Sequence, residues 1–98
     1  MSDDHDRQAR HADDLLHRAN LVRKGGWDHY RLLWSWGEVI GTALILADDA
    51  ELRRCGETTI SALDRWAFSL WGITGGQSDI EAGLPRTRAW FDSIRAAR

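Results

Sequence analysis

Leu32–Ala47 reads LLWSWGEVIGTALILA, with two tryptophans, two glycines and one glutamate set among mostly aliphatic residues. Three environments suit such a run: a membrane, a protein core or a docking surface. A helical span needs about twenty predominantly apolar residues. Here the uncharged run after Glu38 already stops at Asp48. Placing Glu38 at mid-bilayer would also cost a few kcal/mol. The stretch therefore reads as a core helix, extended back to Asp28 as its N-cap. At 100° per residue, Arg31, Ser35, Glu38 and Thr42 form a narrow polar stripe. The rest of the circumference, with Tyr30, Leu33, Trp34, Trp36, Val39, Ile40, Ala43 and Leu44, is apolar. That pattern predicts a helix over 28–47 covered on several sides. Gly37 and Gly41 lie four apart in it, at a helix-propensity cost of roughly 1 kcal/mol each. Close approach of another helix, within the chain or from a second copy, would offset that cost.

Around this segment the pattern is helical. No run alternates over six residues, so no strand is expected. A first helix is predicted from after Ser2 to about Lys24. Asp3, Asp4 and Asp6 sit at its positive end, Arg23 and Lys24 at its negative end, and Gly25–Gly26 supplies the stop. Its stripe is Ala12, Leu15, Ala19 and Val22, with Leu16 beside it, and its first two turns are expected to fray. A third helix is signalled by Asp48 and Glu51 in capping-box spacing, pausing at Gly56 and resuming over 57–73. Its inner stripe would be Leu52, Ile60, Leu63, Ala67 and Leu70, flanked by Trp66 and Trp71. Glu57, Ser61, Asp64, Arg65 and Phe68 would face outward. Gly75–Gly76 should end it, Ser78 and Glu81 open a short helical turn, and Gly83 close that turn. Pro85 should start the last helix, whose C-terminus Arg95 and Arg98 complement. The expected fold is all-α, one domain over 1–98: three longer helices plus a short helical turn, with the second helix central.

Composition narrows the function classes. A net charge of −2 argues against a broad nucleic-acid or anionic-membrane footprint. Residues 1–14 hold five aspartates, unlike a secretory or mitochondrial leader, so a cytoplasmic setting is expected. One cysteine, Cys55, precludes an intrachain disulfide. Catalytic chemistry has no coherent carrier. Cys55 has no histidine near it in sequence, and Gly75–Gly76 lacks the phosphate-loop pattern. Asp13, Asp14 and His17 could form one side of a metal site, but no second ligand motif matches them. The chain is therefore read as non-enzymatic, with no cofactor.

Two features suggest recognition. The first is six tryptophans, a residue type prominent in binding hot spots. Trp27, Trp34, Trp36 and Phe68, with the glycines Gly37 and Gly41, are the candidate protein interface. The second is Gln77–Trp90, QSDIEAGLPRTRAW, which resembles the helix-turn-helix of bacterial repressors. Gly83 would be the turn, and Arg86, Thr87 and Arg88 would open the recognition helix. The departure is the first helix: only about one turn separates Ser78 from Gly83. DNA binding is the alternative function.

Arginines outnumber lysine twelve to one, which suits a high-GC genome. With that bias and the run GWDHYRLLWSWGEVIGT from Gly26 to Thr42, the chain resembles small uncharacterised proteins of actinobacterial, mycobacteriophage-like phages. The resemblance implies an accessory protein that binds a host protein, with homodimerisation as a further expectation.

Overall fold

A computed structural model describes residues 2–97, with side chains from His5 to Ala97. The side chains of Asp3 and Asp4, and Arg98, assigned above to helix-dipole roles, lie outside the described residues. The fold is all-α, with no strand among those residues. Six helices follow one another: α1 (Ser2–Gly25), α2 (Asp28–Arg31), α3 (Trp36–Leu46), α4 (Asp49–Arg54), α5 (Thr59–Glu81) and α6 (Pro85–Ala96).

The expected helix over 28–47 is two helices. Ser35 breaks it: its hydroxyl accepts the amide of Glu38, while the Glu38 carboxylate accepts the amide of Ser35. This reciprocal box satisfies helix N-terminal donors that a continuous helix would pair internally. The supposed polar stripe thus separates into parts. Ser35 and Glu38 form the cap, Thr42 is buried with its hydroxyl on the Glu38 carbonyl, and Arg31 belongs to α2. Asp28 opens α2 but does not cap it; Trp27 holds the N-cap position, and its side chain makes no capping bond to the helix.

What remains of the central helix is α3, buried continuously from Val39 to Ile45. It packs against α1, α4, α5 and α6. The α1 stripe meets it as expected, with Leu15, Ala19 and Val22 buried. The C-terminal end of α3 is closed by Ala47 at φ 53° and by Arg95, whose Nη2 donates to the Leu44 carbonyl at 2.6 Å. Gly41 explains its own cost: a Cβ there would lie 2.6 Å from the Trp66 ring. Gly37, by contrast, has open space where a side chain would go.

Asp48 caps α4 as expected, accepting the Glu51 amide at 3.0 Å. The Glu51 side chain turns away to Arg31 and Arg54, so the box is not reciprocal. Thr58 and Ser61 make a reciprocal box opening α5. Glu57, expected outward, is buried with bonds from Ser61 and Arg65, and Ile60, expected inward, is exposed.

Gly75–Gly76 does not end α5. The break is at Gly72, with φ 79° and ψ −179°, a region essentially reserved for glycine. The chain turns there and resumes over 73–81, so Ser78 and Glu81 lie inside this second segment and open nothing. Gly76 permits the tight return: a Cβ on it would sit 2.8 Å from Cδ1 of Phe68. Pro85 starts α6, as expected, after Gly83 at φ 95° and Leu84 at φ 67°.

Candidate functional site

Among the described residues, the turn between α2 and α3 gathers three of the six exposed large apolar side chains; the other three, Ile60, Phe68 and Ile73, are spread along α5. Leu32 is 92% exposed, Leu33 66% and Trp36 50%. Together they present roughly 300–400 Å² of apolar surface, the size of the largest patch on a typical monomer and often a functional one. Scattered exposed leucines need no explanation, but three large exposed side chains within five residues of one turn form a local cluster, the knuckle.

Polar contacts at the base hold the knuckle. Trp27 is half-buried, and its indole N–H donates to Asp48 Oδ2 at 2.9 Å. Arg31 reaches the Glu51 carboxylate at 2.8 Å and also pairs with Asp28. Trp34 stacks on Tyr30 with ring centroids 4.7 Å apart, and the Arg18 guanidinium lies over its ring at 4.8 Å. Arg18 also binds Asp14 and Glu38 at 2.8 and 2.9 Å, linking α1 to the Ser35 cap. The shape of the turn therefore does not depend on burying Leu32, Leu33 or Trp36.

Glu51 is the electrostatic anchor. Burial pushes its carboxyl pKa up, but hydrogen bonds and charges from Arg31 and Arg54 outweigh that and hold it below the usual carboxylate range. Beside the knuckle, Ser35, Gly37 and Glu38 share an open groove of about 440 Å³ with Trp66, Ser69 and one face of α1. There His11 stands edge-on to Trp66 at 5.2 Å, and burial, then the nearby Arg7 charge, lowers its pKa.

The sequence-predicted interface residues divide. Trp34, Trp36 and Gly37 come together at the knuckle, with Trp27 at its base. Gly41 is internal, covered by Trp66. Phe68 is 40% exposed and rests against Gly76 across the α5 kink. Leu32 and Leu33, the most exposed members, were missed because a helix through 28–47 places Leu33 inside. The signal that finds them is Ser35-x-x-Glu38 immediately before an apolar run, which starts the helix at Trp36 and makes 32–35 a turn.

The alternative site also divides. Arg86 and Arg88 are exposed; Thr87 is wholly buried. The Thr87 hydroxyl donates to Asp79 and accepts the Trp71 indole N–H at 3.0 Å, so it has no freedom to read a base. Cys55 is buried, and that burial raises its thiol pKa against the pull of Arg54. No cluster of three or more histidine, cysteine, aspartate or glutamate side chains suited to a metal occurs among the described residues. No helix among them is long and apolar enough to cross a membrane.

Comparison with protein-family models, curated proteins and solved structures finds no match to this chain.

Proposed function

We propose that this chain is a non-enzymatic binding protein that docks a partner protein on the α2–α3 knuckle. The observation that carries the reading is the exposure of Leu32, Leu33 and Trp36 on a turn fixed from below by Trp27–Asp48 and Arg31–Glu51. A preformed apolar projection avoids the ordering cost that a flexible loop would incur on binding. Trp36 is the anchor, because a half-exposed indole keeps both apolar area and a donor for a partner. Leu32 and Leu33 extend the apolar contact, and Asp28, His29 and Ser35 form a polar rim of the kind that surrounds such centres.

The resemblance to actinobacterial phage proteins supports a host protein, met in the host cytoplasm, as the partner. Pairing of two copies through the same knuckle is the other use of this surface, and sedimentation velocity separates the two: a foreign partner leaves the purified chain monomeric. Affinity capture from an actinobacterial lysate, run in parallel with wild-type chain and a Leu32→Ser/Trp36→Ser variant, tests the reading. A protein retained by the wild type and lost by the variant is the expected result.

A further inference from the structure

From the second half of α5 through α6, we infer that the chain carries a second binding surface, a helix-turn-helix that takes duplex DNA. The sequence suggested a first helix of about one turn. The kink at Gly72 changes this, because residues 73–81 form a helical segment of their own. At 1.5 Å per residue that segment is about 13 Å long, enough for the first helix of the motif. A short turn with Gly83 and Leu84 in positive φ leads directly into α6.

The angle between the two helices is fixed by buried polar contacts. Asp79, 3% exposed, accepts the amides of Arg86 and Thr87, each at 2.9 Å, and the Thr87 hydroxyl. Trp71 donates to the same hydroxyl. Leu84 and Phe91 bury the apolar side of the pair. What α6 leaves outward is Arg86, Arg88 and Ala89 in its N-terminal half, with Asp92, paired to Arg95, and Ser93 following. A major groove of about 12 Å admits such a helix, and arginine is the commonest reader of guanine there. On the preceding segment, Thr74 and Ser78 are exposed where the first helix would cross the phosphate backbone.

Over residues 73–97 Arg86, Arg88 and Arg95 balance Asp79, Glu81 and Asp92, so this ligand depends on where the charges sit rather than on a local excess. Five of the carboxylates lie in the first fourteen residues, on α1, which packs against α3 and α5. Of the carboxylates near α6, Asp79 is buried, whereas Asp92 and Glu81 are exposed. Asp79 caps the helix, Asp92 is bound by Arg95 at 2.8 Å, and Glu81 accepts from Gln77 at 3.1 Å. Arg86 lies over the Trp71 ring at 4.0 Å and Arg88 donates to the Gly83 carbonyl, and both side chains are exposed at the surface.

The test is fluorescence anisotropy of a labelled pool of random duplexes of roughly 25 base pairs, titrated with the full chain from low to physiological salt. Expected is binding that weakens as salt rises. An Arg86→Gln/Arg88→Gln variant should lose at least about tenfold in affinity and flatten the logarithmic salt slope by about 2, near 0.9 per lost phosphate contact. Ala89→Glu, which touches no internal group, should abolish binding while far-UV circular dichroism stays unchanged. The knuckle variant Leu32→Ser/Trp36→Ser should bind DNA like the wild type, so this surface and the protein-docking surface stand or fall separately. No binding by folded wild-type chain at low salt, or equal binding by Ala89→Glu, would overturn the inference.

Discussion

Arg31 and Glu51, on α2 and α4, meet through a guanidinium–carboxylate pair, with Nη2 2.8 Å from Oε1 and Nε 3.1 Å from Oε2. Glu51 is 3% exposed, and Arg54 closes its other side. The pair joins the segment that projects Leu32 and Leu33 to the helix that packs on α3. It is the main reason the knuckle can keep a shape without burying its own apolar side chains.

Glu51→Gln should therefore destabilise the fold. The glutamine keeps the volume but removes the buried charge that Arg31 and Arg54 share, leaving Arg31 only its exposed pair with Asp28. Buried pairs lose about 3–5 kcal/mol when one member is removed; the solvent access of both arginines reduces that to about 1–3 kcal/mol. Urea unfolding measures it. A loss under about 0.5 kcal/mol would show that the anchor does not hold the turn.

Acid should weaken the same contacts. Glu51 and Asp79 both have folded-state pKa values below their ordinary ones, since hydrogen bonds to the ionised carboxylates outweigh burial. For a depressed carboxylate, the stability is present above the unfolded pKa and is lost as pH falls through the folded one. The midpoint of thermal unfolding should fall slightly as pH drops below about 6.5, where His11 with its lowered folded-state pKa resists protonation, and then fall more steeply below about pH 5 as the two carboxylates approach protonation. In Asp79→Ala the midpoint should already be lower at neutral pH, by the equivalent of about 1–2 kcal/mol for a lost cap, and the acid drop should be shallower.

Gly37 and Gly41 should respond in opposite directions to alanine. At Gly41 the new Cβ meets the Trp66 indole at 2.6 Å, and overpacking of this kind costs about 1–3 kcal/mol. At Gly37 there is open space, and alanine should stabilise α3 by about 0.5 kcal/mol through helix propensity. Chemical denaturation of the two single variants decides this. Equal effects would contradict the different environments of these two glycines.

Much of this fold is legible in the sequence where apolar spacing and caps agree. The α1 stripe, the Asp48 cap, the buried half of α3 and Pro85 at the head of α6 are of this kind. The errors arise where two local signals compete. Ser35 and Glu38 fit both a polar helix stripe and a capping box, and the box prevails because it satisfies donors the stripe leaves open. Gly75–Gly76 is the expected stop of the third helix, but the break falls at Gly72. The tertiary fold uses Gly72 for its dihedrals and Gly76 for its close approach to Phe68, which no spacing encodes. Thr87 shows the same limit at the candidate DNA surface: its type suits base contact, but its burial follows from Asp79, eight residues earlier, and from Trp71. Leu32 and Leu33 were hidden for the reason that made the longer helix attractive, their apolarity.

The most direct test of the knuckle is paired affinity capture with matched folds. Wild-type chain, Leu32→Ser/Trp36→Ser and Phe68→Ser would be immobilised at equal density, after circular dichroism and thermal midpoints show the knuckle variant within about 0.5 kcal/mol of wild type, as surface changes allow. Captures run in actinobacterial lysate treated with nuclease. The expected result is one host protein retained by wild type and by Phe68→Ser and lost by Leu32→Ser/Trp36→Ser. Retention of the same proteins by all three, or by none, would contradict a docking role for Leu32, Leu33 and Trp36.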